Sequence, residues 1–301
     1  TLDNVYPRGK SLTIRKFSIL PLTIVDLIKS GSITSDAAAF LWLMVDGFGV
    51  NPKNILVVGG TSSGKTTLLT VLSNFTRLNE RIVSIEDTLE LSLLDRKNWV
   101  ALEAKQALGE NIGMDDLLKN SLRMRPDRLI IGEVRGKEAI PLFTAMNNGH
   151  NGCLGTIHSK SARDTVKKLE NKPFEIPSTM ISLINLVVVM NRRFLGDGFV
   201  REVTQIAELS SMEDKVLLAN LFEKNDGELI RNDLPSGLIE SFAHESVMEK
   251  NDVKKEINTR KIILEWLLKN NVSGPMEVLE VIQSYYFNPE KVMSMIYNSA
   301  K

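Results

Sequence analysis

The sequence predicts an α/β protein built around a parallel sheet, and three observations carry that prediction. The run Ile55-Leu56-Val57-Val58-Gly59-Gly60-Thr61-Ser62-Ser63-Gly64-Lys65-Thr66-Thr67 is a short β-branched strand, a glycine-bounded loop and the start of an apolar helix. Strand and helix patterns then alternate as far as residue 169, as expected where helices cover both faces of a parallel sheet. A chain of 301 residues with 43% hydrophobic content can bury one large core or two modest ones.

Taken in order, Ser11–Phe17 alternates like a strand, yet no partner strand is visible in the first twenty residues. An unpaired strand is unstable alone. Residues 1–20 are therefore expected to end a mostly missing amino-terminal domain, and the chain, which begins with Thr, to be a fragment. Residues 21–50 read as a helical linker. Pro21 starts one helical segment, Thr34-Ser35-Asp36 caps a second through Ala37–Val45, and Gly47, Gly49 and Pro52 break it.

Residues 51–250 form the expected phosphate-binding domain. Strand 55–58 and helix 66–75 come first, then strand Arg81–Ile85, helix Met114–Met124 and strand Arg128–Gly132. Helix Lys137–Met146, strand Gly152–Ile157 and helix Ser161–Leu169 complete the alternation. Ile184–Met190, Glu202–Leu209 and Leu217–Phe222 read as later strands, antiparallel at the edge. Residues 251–301 read as helices, over Lys254–Lys269, over Met276–Tyr286 and from Pro289-Glu290 onward.

Acidic and basic residues balance at 37 each, so no global field attracts nucleic acid and no specific nucleic-acid partner is expected. The lone Cys153 excludes an internal disulfide and fits a reducing compartment. No run of 18 apolar residues occurs, and Ser182 and Asn185 interrupt the longest candidate.

Residues 59–66 fit G-x-x-x-x-G-K-[ST], the P-loop pattern. Gly59 and Gly64 let backbone N–H groups turn inward around phosphate oxygens, and the helix that follows adds the positive end of its dipole. Gly59, Gly60, Thr61, Ser62, Ser63, Gly64, Lys65, Thr66 and Thr67 are thus expected to hold a nucleoside triphosphate. Lys65 would reach the β- and γ-phosphates, and the Thr66 hydroxyl would take one position on Mg²⁺.

Four further features carry chemistry. Glu86, Asp87 and Glu90 cluster at the end of a strand, where a carboxylate can hold Mg²⁺ through water or orient an attacking water. The plain alternative is a solvated turn. Leu129-Ile130-Ile131-Gly132-Glu133 is an apolar strand ending in an acid, placing Glu133 as a metal-positioning or water-orienting group. His158 closes a strand among small residues, suited to sensing a γ-phosphate, and no cysteine or carboxylate cluster supports zinc there. Arginines to neutralise a transferred phosphoryl group are available as Arg123, Arg125 and Arg135, and as Arg8 and Arg15; Arg123 and Arg15 are the chosen candidates.

In order, GGTSSGKTT, IVSIEDTLEL, SLRMRPDRLIIGEVRGKEA and GHNGCLGTIHSKSARD resemble the Walker A, Asp box, Walker B and His box of the type II/type IV secretion ATPase superfamily. RGKSLTIRKF and the trailing Tyr285-Tyr286-Phe287-Asn288-Pro289-Glu290 look most like its archaeal branch of archaellum motors and pilus-assembly ATPases. The resemblance implies a RecA-like motor domain that hydrolyses ATP with Mg²⁺. It also implies a homohexamer on the cytoplasmic face of the membrane, working on an integral-membrane platform protein. Lys65, Thr66, Glu86, Asp87, Glu133 and His158 fall on the matching motif positions. The four-cysteine zinc motif of many bacterial assembly ATPases is absent. Rival readings are a pilus-retraction or conjugation-type secretion motor and, in another class, a nucleotide-gated scaffold that does not hydrolyse.

Overall fold

Strand β1 (Ile55–Gly59) is buried along its whole length, as a strand must be when none of its residues offers a polar face to water. In the computed structural model, which describes residues 12, 14, 20–107, 110–196, 198–213 and 215–299, helices α1 (Ile24–Lys29) and α2 (Ser35–Asp46) precede it and α3 (Lys65–Ser73) follows. Next come β2 (Ile82–Glu86), β3 (Trp99–Glu103) and a small hairpin of β4 (Lys105–Ala107) and β5 (Glu110–Ile112). Helix α4 (Met114–Ser121), β6 (Arg128–Val134), α5 (Ala139–Asn147), β7 (Leu154–His158), α6 (Ala162–Glu170) and α7 (Ser178–Ile181) continue the alternation. An antiparallel run follows, β8 (Leu186–Leu195), β9 (Gly198–Met212), β10 (Lys215–Asn225) and β11 (Glu228–Arg231). Helices α8 (Gly237–Glu245), α9 (Lys250–Lys269), α10 (Pro275–Phe287) and α11 (Pro289–Ser299) close the described chain.

Among the described residues the main sheet has nine strands in the order β11-β10-β9-β8-β1-β7-β6-β2-β3. All neighbours from β8 to β3 are parallel, and β9 to β11 are antiparallel. The predicted mixed fold with a mostly parallel central sheet is present. One expectation needs correction: Ile184–Met190 is not an edge antiparallel strand. It enters as β8, parallel to β1 in the register Gly59↔Met190, because α6 and α7 carry the chain back across the sheet first. Strand β3, the β4–β5 hairpin, α7, β11 and α8 carry too little periodicity to be read from sequence. The strand expected at Ser11–Phe17, with Arg8 and Arg15, lies outside the described residues apart from exposed Leu12 and Ile14.

Side-chain alternation sorts the core into two layers. Ile55 and Val57 point into one layer, with α1, α2, α3 and α8 to α11, whereas Leu56 and Val58 point into the other, with α4 to α7. Residues 21–50, expected as a linker, supply α1 and α2 to the first layer. From Ala37 to Asp46, α2 is 0% exposed, as a helix apolar on every side should be. The Thr34 hydroxyl accepts from the Ala37 N–H at its start, and Gly47 ends it with φ 58°. No helix of the described residues is long and apolar enough to cross a membrane.

Asp46, at the end of that helix, is a fully buried charge. Its carboxylate accepts from Arg260 of α9 at 2.8 Å and from Arg77 at 2.9 Å. Burial works against the Arg260 charge, but Asp46 and Glu256 overcome it and hold the guanidinium above its usual range. Arg260 also lies 5.1 Å from the Trp42 ring centroid. The carboxyl-terminal end of α3 meets the same cluster. Tyr286 Oη donates to the Phe75 carbonyl at 2.6 Å, Gln283 Nε2 to that of Thr76 at 2.9 Å, and Arg96 to those of Asn74, Thr76 and Arg77. These donors hold the carbonyls of the C-cap Asn74 and of the three residues that follow the helix.

Removing one partner of the buried pair is therefore expensive. Arg260→Leu is expected to lower unfolding stability by about 3–5 kcal/mol, because Asp46 stays buried with Arg77 alone. Urea denaturation checks this, and pairing the change with Asp46→Asn recovers part of the loss.

Candidate functional site

The site grows from the end of β1. A Cβ added at Gly59 would come within 2.4 Å of both the Met190 carbonyl oxygen and Ser63 Oγ, so only glycine fits where the loop leaves the sheet. Ser62 and Gly64 turn the loop in the left-handed region, with φ 59° and 94°. Ser63 Oγ donates to the Gly60 carbonyl at 2.9 Å and Lys65 Nζ to the same oxygen at 3.0 Å. Gly64 precedes α3 and brings no side-chain cap, so the first N–H groups of the helix are left for an anion. Burial lowers the Lys65 pKa against the pull of Glu133, and nearby Arg135 and Lys168 lower it further.

A cavity of about 790 Å³ opens over this loop, with Thr61 to Thr67 as its floor. It lies at the carboxyl ends of the parallel strands, where open α/β sheets bind ligands. Glu133 of β6, together with Thr156 and His158 of β7, also lines it. Thr156 Oγ1 donates to the Gly132 carbonyl at 2.7 Å, and Lys168 of α6 holds the His158 carbonyl at 2.7 Å. Arg135 ties two motifs together. Its Nε meets Glu133 Oε2 at 2.9 Å and its Nη1 meets Asp87 Oδ2 at 2.9 Å, and the Glu133 bond above all raises its pKa.

The two glutamates of the Asp box separate. Glu86 is buried at 2% exposure and does not line the cavity. Its Oε2 accepts the backbone N–H of Glu90 at 2.8 Å and of Leu91 at 2.9 Å, while Oε1 has no hydrogen-bond partner among the described residues. Gly132 leaves room for it, since a Cβ there would meet Glu86 Cγ at 2.9 Å. Burial raises the Glu86 pKa, and the two backbone bonds only partly oppose this. The turn that Glu86 anchors brings Glu90 to the cavity instead.

Of the other expected residues, Lys65, Thr66, Glu133 and His158 share this one cavity. Gly59 and Gly60 shape the loop from behind. Arg123 is exposed on a single 3-10 turn, Leu122–Met124, and does not line the cavity. Arg15 lies outside the described residues. Lys168 and Arg201 escaped the sequence reading because no local motif marks them, and Thr156 lay inside the His box with no role assigned to it. Glu90 was visible in its cluster, but only the backbone path distinguishes it from Glu86. A second recess of about 330 Å³, lined by Leu22, Met190, Phe199 and Val200, adjoins the cavity at Gly64, Thr67 and Arg201. It is largely apolar, which suits an aromatic base.

Among the described residues no three His, Cys, Asp or Glu side chains gather to hold a metal by themselves. The hard oxygen donors Thr66 and Glu133 on one cavity do suit Mg²⁺ that keeps waters and phosphate oxygens as its other ligands.

Comparison with known proteins agrees with the motifs. The family described as Type II/IV secretion system protein matches residues 4–220. An uncharacterized Methanocaldococcus jannaschii protein, MJ0781, is 54% identical over 158 residues, 51% of this chain and 22% of that protein. A second from the same organism, MJ1287, is 36% identical over 251 residues, covering 81% of this chain and 91% of its own length. The probable conjugal transfer protein TrbB of Sinorhizobium fredii is 31% identical over 224 residues, 72% of this chain and 66% of that protein. The chain thus spans about a fifth of the first relative and nine-tenths of the second.

The raised Glu86 pKa makes a pH prediction. A carboxyl group with a folded pKa above its unfolded value takes up protons on folding, so stability falls as pH rises through that window. From pH 4.5 upward to the raised folded value, the wild type is expected to lose stability that Glu86→Gln does not lose. Urea midpoints of both proteins across that range, at constant ionic strength, check the difference.

Proposed function

This chain belongs to the type II/IV secretion system protein family, and we propose that it is a Mg²⁺-dependent ATPase that drives a filament or secretion machine. One observation supports this above the others: Lys65 and Thr66 share a cavity with Glu90, Glu133, Thr156 and His158. In this reading the loop amides and Lys65 bind the phosphates, and Lys65 neutralises charge that builds on the transferred group. Thr66 and Glu133 hold Mg²⁺, whose chemistry is to draw charge from the phosphate oxygens. Glu90 orients the attacking water and takes its proton, Glu86 fixes the turn that aims Glu90, and His158 donates a hydrogen bond to the γ-phosphate. The apolar recess takes the adenine.

At the level of the cell, we propose that the chain powers assembly or rotation of an archaeal type-IV-pilin-like filament. It would act as a homohexamer at the inner face of the membrane, on an integral-membrane platform protein. The two Methanocaldococcus relatives favour this setting. The TrbB relative favours a conjugation-type secretion motor as the second reading. In such a ring Arg123, exposed and absent from the lining of its own cavity, would serve a neighbour's.

Two substitutions test the enzyme reading. Lys65→Ala is expected to weaken ATP binding ten- to a hundredfold, the loss of a charge-assisted contact of roughly 1.5–3 kcal/mol, and to abolish turnover. Wild-type turnover in that variant would sink the assignment. Glu90→Gln is expected to keep ATP affinity and lose hydrolysis at least a hundredfold, since its role is confined to the transition state. A wild type that binds ATP with Mg²⁺ but releases no phosphate would identify the non-hydrolysing scaffold instead.

A further inference from the structure

The cations around the cavity differ in how far their donors are already used. Arg135 is committed to Glu133 and Asp87, and Lys168 to the His158 carbonyl. Arg201 arrives from β9, in the antiparallel half of the sheet, only two residues beyond exposed Phe199. Its Nε donates to the Ser62 carbonyl at 3.0 Å. Its stem lies over the loop, so that a Cβ on Gly64 would come 3.3 Å from Arg201 Cδ. One bond anchors the guanidinium, and its two terminal nitrogens have no hydrogen bond or ion pair among the described residues. Arg201 lines both the phosphate cavity and the apolar recess, and therefore stands where the two meet.

That position selects a part of the ligand. In the nucleotide reading, Glu133, His158 and Thr156 meet the γ-phosphate and the recess takes the base. The group between them on a nucleotide is the α,β-diphosphate. A guanidinium fork held at one corner by a backbone carbonyl presents its remaining N–H groups to two oxygens at once, at little entropic cost. We propose that Arg201 is a diphosphate-binding residue acting within its own chain. The site is then closed from the antiparallel strands as well as from the P-loop. This assignment rests on the nucleotide reading above. Because ADP and ATP carry the same α,β-diphosphate, the contact strengthens ground-state binding of both and leaves the chemical step alone.

The test uses the whole chain as wild type, Arg201→Gln, Arg201→Lys and Lys65→Ala, with ADP binding by calorimetry, steady-state ATP turnover and thermal melting. Gln can still donate to the Ser62 carbonyl but carries no charge, whereas Lys keeps the charge without the fork. Arg201→Gln is expected to bind ADP roughly tenfold more weakly and to raise KM for ATP by a similar factor, with kcat within about twofold of wild type. Arg201→Lys is expected to fall between the two, with melting temperatures unchanged in both. ADP affinity in Arg201→Gln within twofold of wild type overturns the proposal, and so does a fall in kcat with KM unchanged. Loss of ADP binding in both variants together with a lowered melting temperature also overturns it, by showing that Arg201 only props the loop. A wild type that does not bind ADP at all overturns the nucleotide reading itself, which the Lys65→Ala comparison identifies separately.

Discussion

Gly59 faces the Met190 carbonyl across a parallel pair of central strands, and the whole site hangs on that close approach. A side chain there would push β1 and β8 apart, and the loop could not leave the sheet at that point. The same register sets what surrounds the loop. Strand β8 continues into β9, which brings Arg201 back over Gly64, while β7 and β6 carry His158, Thr156 and Glu133 to the same cavity. One steric limit at a single Cα thus aligns the carboxyl ends of four neighbouring strands.

The second organising feature is the burial of charge beneath the sheet. Asp46 would be intolerable alone, and Arg260 and Arg77 make it stable only if α2, α9 and the segment after α3 keep their relative places. Hydrophobic packing of Leu, Ile and Ala against one another tolerates small slips of one helix over another. A buried carboxylate shared by two guanidinium groups does not, because each bond has a direction. The Trp42–Tyr286–Phe75 contacts extend the same constraint to α10.

The legible parts of the molecule were the local ones. Glycine spacing at 59 and 64, an apolar run ending in Glu133, and alternation of β-branched and amphipathic segments each declare themselves within a dozen residues. Direction within the sheet does not, because an apolar run such as that of β8 fits a parallel or an antiparallel neighbour equally well, and only the path through α6 and α7 decides between them. Within the site, Glu86 and Glu90 are chemically identical and four residues apart, so their different fates depend on a turn that sequence does not display. Arg201 and Lys168 arrive from far along the chain, and an isolated cation on a strand or helix looks like ordinary solvated surface.

Helix α3 deserves a mechanical reading. It is nine residues long, about 13 Å at 1.5 Å per residue. Its first turn closes the P-loop, and the residues just past its far end are held by Tyr286, Gln283 and Arg96. So short a rod, held at both ends and buried from Leu68 to Ser73, cannot absorb displacement by bending. Movement of the loop is delivered to α10 with little loss, and a pull on the carboxyl-terminal helices is returned to the loop along the same axis. Strain therefore runs both ways along a single strut, and resistance met at the distal helices is felt at the floor of the cavity.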